Sequence, residues 1–220
     1  RMDGIQRMDT PMTNQPRPGA FYIFVSDMES NRQPCGVMFD NLRQLLSPPR
    51  VILRPEGGGF PLMLEQPQMT YDPSEGPEPR DLEPGFGGYW LVSERLHDVM
   101  CSVDPSAFAF TEVDYHLADG IKGPRHFLCD VVRELDALDE ESSRLRVKVD
   151  DEYVRGKFYS LGGGASLAFR REVLGESHVF RVPFNPSVFC DRKFKDAVHH
   201  TGIPDDAEVS GISFIDASDI

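Results

Sequence analysis

The segment Arg125-His126-Phe127-Leu128-Cys129 brings a thiol near an imidazole in sequence. A cysteine attacks as its thiolate, so a catalytic pair needs the imidazole within hydrogen-bond reach of the sulfur. If the segment is a strand, His126 and Cys129 face opposite sides and no local pair forms. His199 and His200 are adjacent. On a helix they diverge by about 100° and lack the i, i+4 spacing of a zinc-binding HExxH. The glycine runs at 57–59 and 162–164 are not followed by GK[ST] and make no GxGxxG, so phosphate cradling lacks its donors and they read as turns. No serine lies in GxSxG and no SxxK occurs. Asp72, Asp81, Asp150, Asp151 and Glu152 fall in expected loops or strand ends, where nothing fixes a catalytic pair. The expectation is therefore no catalytic residue, no cofactor and no metal, with His126, Cys129 and Asp130 as the constellation an enzymatic alternative would use.

Charge says more than motifs. The 220 residues carry 23 Lys and Arg against 36 Asp and Glu, a net charge of -13. That excess opposes nucleic-acid binding, which draws on Lys and Arg for its phosphate contacts, and no basic run appears. The densest acidic stretch holds Asp130, Glu134, Asp136, Asp139, Glu140 and Glu141, opposed only by Arg133. Such a stretch is either a solvated face or half of an interface that speeds encounter with a basic protein. The longest segment without a charged side chain, 158–169, has twelve residues, short of the roughly 18 apolar residues of a membrane span. The first 20 residues lack the apolar stretch of a secretory signal. Cys35, Cys101, Cys129 and Cys190 are widely spaced, which reads as reduced thiols and a cytoplasmic location.

The elements that must position these groups follow from pattern. Residues 1–19 are polar and without period, a flexible tail. AFYIFVS at 20–26 is a buried strand, and 40–46 a short helix stopped by Ser47, Pro48 and Pro49. The text YDPSEGPEPRDLEPGFGG at 71–88 is too rich in Pro, Gly and acid for a helix or ladder and reads as a linker or long surface loop. It separates an N-terminal part, 20–70, from 89–220, the two together forming one compact domain. YWLVSERLHDVM at 89–100 and SVFCDRKFKDAV at 187–198 align without gaps. Each is an apolar strand, a capping Ser93 or Asp191, then a short amphipathic helix. A strand follows each, at 107–114 and 211–216. Further strands are expected at 145–149, 158–161, 166–173 and 179–184, the last after a Gly-Glu-Ser turn at 175–177 that could close a hairpin. HFLCDVV at 126–132 fits a strand, although Val131, Leu135 and Leu138 also fit a helix. The sum is α+β, with a mixed, largely antiparallel sheet, a few short helices and a duplicated strand-helix-strand unit.

The aromatic strand at 21–25, the SERL helix start, LDALDEESS at 135–143, the HVFRVPFNPSVFCDRKFKDAV unit at 178–198 and GISFID near the C-terminus together resemble immunity protein family eleven of bacterial polymorphic toxin systems. The resemblance lies mainly in the C-terminal two-thirds and rests on fold signatures rather than catalytic motifs. It implies a non-enzymatic protein that binds and neutralises a cognate toxin or secretion-system effector, protecting the producing cell and its kin. The alternatives are an enzyme that reverses a toxin's modification and an effector adaptor or chaperone. The expected toxin contacts, on a basic partner surface, are Asp136, Asp139, Glu140, Glu141, Asp150, Asp151 and Glu152, with Tyr71 and Phe86 as exposed aromatic anchors. Neither the resemblance nor the residues fix the oligomeric state.

Overall fold

Two antiparallel hairpins, each running directly into a capped helix, generate most of the architecture. A computed structural model describes residues 14–26 and 33–220; residues 1–13 of the expected tail lie outside it. In the first unit, β4 (Leu82–Phe86) pairs with β5 (Tyr89–Ser93), which leads into α1 (Glu94–Val103). In the second, β10 (Val179–Val182) pairs with β11 (Asn185–Asp191), which leads into α3 (Arg192–His200). The helices start where the sequence supplies a cap. Ser93 Oγ accepts from Leu96 N at 3.3 Å and Asp191 Oδ1 from Phe194 N at 3.0 Å, satisfying first-turn amides that have no partner within the helix.

The duplication extends to topology. The larger sheet runs β2 (Val37–Phe39), β3 (Gln68–Tyr71), β6 (Phe108–His116), β7 (His126–Val131), β5, β4, and the smaller runs β10, β11, β1 (Phe21–Ser26), β12 (Ile212–Asp216). The order β4-β5-β7-β6 thus matches β10-β11-β1-β12. In each, the strand after the helix returns two places over, with an antiparallel strand between. The inner strand comes last in the first unit and first in the second, so the two are cyclically permuted. The β3–β6 pair is parallel, which makes the larger sheet mixed. The fold is α+β.

One apolar cluster joins the units. Tyr22, Phe24, Leu82, Val92, Leu96, Met100, Phe127, Val188, Phe194 and Ile212 are all under 9% exposed and lie in it, with α1 packed on α3. A second core lies between the smaller sheet and the segment carrying Leu138, Tyr159, Leu167 and Phe169; a third packs Val37, Leu45, Leu53 and Met69 against Tyr89, Leu91 and Leu128.

Several sequence expectations differ in informative ways. Within the expected loop at 71–88 lies β4, and it is among the more buried parts of the chain: Arg80 and Glu83 form an ion pair with side chains 8% and 5% exposed, and Asp81 accepts from Ser93 Oγ and Arg95. The acids that argued against a ladder serve as internal partners. A Cβ at Gly211 (φ +78°) would lie 1.9 Å from Leu82 O, so only glycine permits that approach of the second unit to β4. The helix expected at 40–46 shortens to a 3₁₀ turn, Leu42–Gln44. Segment 166–173 does not form one strand, because its amides find three separate partners: Ser166 N donates to Arg144 O, Leu167 N to Ala217 O and Arg170 N to Ala137 O. It ends in a one-turn helix, α2 (Arg171–Leu174), with Gly175 as its C-cap. The hairpin around β10 closes instead at 183–184.

Candidate partner-binding face

The β8–β9 hairpin (Arg146–Val149 and Lys157–Ser160) is a separate two-stranded ribbon. Its alternating LRVKV text suggests one buried side, yet all four β8 residues are exposed. The reason is position: β9 leans on the rest of the protein, with Tyr159 N donating to Phe184 O, while β8 forms the outer edge. Basic Arg146 and Lys148 on that edge discourage uncontrolled pairing. The connecting loop is ordered by its own backbone: Tyr153 N donates to Asp150 O, Gly156 N to Tyr153 O, and Glu152 N to Asp150 Oδ1. Tyr153 stacks on Phe158 at 5.6 Å. That leaves Val154 93% and Val149 79% exposed, beside the carboxylates of Asp151 and Glu152, which have no partner among the described residues.

The expected acidic stretch lies against this ribbon. Glu134 pairs with Arg155 and Glu140 with Lys157, and Tyr159 Oη donates to Glu140 at 2.6 Å. These bonds hold the Glu140 carboxyl below its usual range, while burial and then the Glu140 contact push the Tyr159 hydroxyl up. Asp139 accepts from Asn14 Nδ2, Glu141 N and Ser142 N, each at 3.1 Å. Burial pushes its carboxyl up, and the hydrogen bonds outweigh this to bring it below the ordinary 3.8. Asp136 makes a 3.3 Å pair with Arg170. The seven expected carboxylates therefore divide. Asp139, Glu140 and Asp150 are engaged internally, Asp136 is paired at the surface, and Glu141, Asp151 and Glu152 are exposed.

The two aromatics do not share this placement. Phe86 is only 9% exposed and packs with Phe39 in the third core, and Tyr71, half-buried, lies against the same cluster. Neither is an exposed anchor, because Tyr71 ends β3 and Phe86 ends β4, and both side chains pack on the third core. On the hairpin the most exposed apolar groups are Val149 and Val154, while Leu62 is as exposed elsewhere on the surface; a lone valine inside the polar turn DDEYVRG was the available signal. Between the hairpin, the β10–β11 turn and Arg54 runs a groove of about 370 Å³ lined by Val154, Arg155, Lys157, Arg181, Phe184 and Pro186.

The nucleophile candidates are dispersed. His126 packs on Tyr115, its Nδ1 lies 2.9 Å from Pro124 O, and burial lowers its pKa. Cys129 is buried in the first core against Met100 Sδ, and burial raises its thiol well above the usual value. Asp130, 2% exposed, accepts from Arg54 Nε at 2.9 Å and from Gly59 N at 2.6 Å. The 57–59 glycine turn does cradle an anion, and that anion is the protein's own carboxylate. Sequence reading missed a different arrangement on α1: Cys101 Sγ lies 3.5 Å from His97 Nε2, whose Nδ1 lies 3.1 Å from Asp98 Oδ1. The i, i+4 spacing in HDVMC was the signal. Burial and then Asp98 raise the Cys101 thiol, which keeps it protonated. Among the described residues no group of three or more His, Cys, Asp or Glu could hold a metal ion, and no helix is long and apolar enough to cross a membrane.

Comparison with protein families returns a match to the immunity protein family (Imm11) spanning residues 20–219. The chain belongs to the Imm11 immunity protein family. The match covers both strand-helix units and the hairpin, well beyond the segments on which the resemblance was first drawn. No curated protein matches the chain.

Proposed function

We propose that this immunity protein neutralises a cognate bacterial toxin by binding it through the β8–β9 hairpin and the adjoining acidic stretch at 134–141, occluding the toxin and protecting the producing cell and its kin. The observation that carries this reading is the tip of the hairpin: the highly exposed Val149 and Val154 beside the carboxylates of Asp151 and Glu152, which have no partner among the described residues, on a ribbon whose backbone is already ordered. Pre-ordering lowers the entropy lost on binding. Apolar anchors rimmed by charge give a centre that excludes water and an edge that steers a basic partner. Asp136, Glu141, Asp151 and Glu152 serve as contact carboxylates, while Asp139, Glu140 and Asp150 hold the shape of the face. An interface of about 1,600 Å² in total suffices for a tight complex, and no chemistry is required of the inhibitor. The thiols of Cys101, Cys129 and Cys190, none of them in a disulfide, accord with a reducing cytoplasm as the place of action.

Co-purification of the tagged protein from its own bacterium, followed by titration against the captured toxin, tests the reading. The expected result is silencing at about one mole per mole. Protection at substoichiometric amounts would instead indicate an enzyme that reverses the toxin's effect, and binding without inhibition would indicate an adaptor.

A further inference from the structure

A second cleft, of about 450 Å³, shares no lining residue with the hairpin groove. It lies between the Gly19-Ala20-Phe21 approach to β1, the one-turn α2 with Gly175 and Ser177, and the first turn of α3. Three cations line it: Arg171, Arg192 and Lys193. In a chain of net charge -13 the three together make a local excess of positive charge. None of them pairs with a carboxylate among the described residues. Arg192 Nε donates to Gly19 O at 2.7 Å, Lys193 Nζ sits 3.4 Å from His178 Nε2, and the Arg171 side chain has no partner.

The one carboxylate in the lining is already committed. Asp191 Oδ1 caps α3 through Phe194 N, and Oδ2 lies 2.6 Å from His178 Nδ1. The His178 ring thus lies between the Asp191 carboxylate and the Lys193 ammonium. Gly19 makes room on the other side, since a Cβ there would lie 2.0 Å from Arg192 Nη2. Glu172 and Glu176 are exposed on the neighbouring turn and do not line the cleft. Two guanidinium forks and an ammonium match the oxygens of a phosphate group better than a single carboxylate, and the α3 dipole adds in the same sense.

We infer that this cleft binds a multiply charged phosphate group, of the diphosphate class, independently of the toxin-binding face. Inorganic pyrophosphate and ADP are the probes, titrated calorimetrically into the full chain at low ionic strength. The double variant Arg171→Gln/Lys193→Gln changes only exposed side chains, and its thermal midpoint is checked against the parent. The expected result is binding of pyrophosphate that weakens at least about tenfold in the variant, the loss of two charge-assisted contacts. Equal affinity for ADP assigns a free diphosphate group and tighter ADP binding assigns a nucleotide, and both carry the inference. No binding of either probe, or affinity unchanged in a variant that folds as the parent does, overturns it. Because the hairpin is untouched, toxin binding by the same variant is expected to stay at the parental level.

Discussion

Asp104 and Asp151 are the same residue type placed just past a helix end and in a hairpin loop, and they do opposite work. Asp104 is 6% exposed and receives Arg133 together with the amides of His178 and Val179, so its charge ties the end of α1 to the second unit. Asp130 does the same for the glycine turn at 57–59. Asp151 and Glu152, in contrast, face water on a loop whose backbone is ordered without them. Acidity in this protein is thus two populations, an inner one that fixes the relation of the sheets and an outer one that faces water and that the proposed function assigns to a partner. Only the outer one can steer association, because a carboxylate already saturated with donors has nothing further to offer.

The largest expected effect separates the populations by stability. Asp104→Ala leaves Arg133, with a side chain 17% exposed, without its counter-ion and strands two amides. Urea denaturation is expected to show a loss of about 3–5 kcal/mol, the range for breaking a buried pair from one side. A loss below about 1 kcal/mol would place Asp104 with the surface acids.

The pH dependence gives a second separation. Burial pushes the Asp104 carboxyl up, but the Arg133 bond and the two amides outweigh it, and the folded value lies below the ordinary 3.8. A depressed folded value means that the stabilisation is present above the unfolded value and is lost as pH falls through the folded one. The urea midpoint is therefore expected to drop below about pH 4, and the drop to be shallower in Asp104→Asn. Midpoints that fall in parallel for both proteins would contradict this.

Half-buried Asp191 falls between the extremes. Asp191→Ala removes the α3 cap and the His178 contact, and Ser93→Ala removes the α1 cap and the bond to Asp81. Each is expected to cost about 0.5–2 kcal/mol by thermal denaturation, with Asp191 the larger of the two. Equal losses would mean that the His178 contact adds no more than the Ser93–Asp81 bond. The smallest effect belongs to the outer acids: Asp151→Lys/Glu152→Lys is expected to change stability by no more than about 0.5 kcal/mol.

How much of this was legible in the sequence depended on what each residue needed. The β5–α1 and β11–α3 units were readable because strand, cap and helix lie within twelve consecutive residues and their signals are local. The Phe21–Ser26 strand was readable from its apolar run. β4 was not, because its Pro, Gly and acids look like loop until Arg80, Ser93 and Arg95 are brought to them by the fold. For the same reason Phe86 was placed outside and is inside. At 166–173, apolar residues suggested a strand, but the backbone is divided among three neighbours, which no periodicity records. The acidic stretch at 134–141 and the loop at 150–152 were readable as charge. Which of their carboxylates were already spent on Lys157, Tyr159 or a turn amide was not, since those partners are set by long-range packing.

The division between inner and outer acids is tested most directly by the association rate constant of the Asp151→Lys/Glu152→Lys variant with its co-purified toxin, measured across a range of salt concentrations. If the hairpin is the binding face, association at low salt slows at least about tenfold and its salt dependence weakens, while the denaturation midpoint stays at the parental value. Association as fast as the parent's at low salt, with toxin silenced mole for mole, would contradict the assignment of these carboxylates to the toxin.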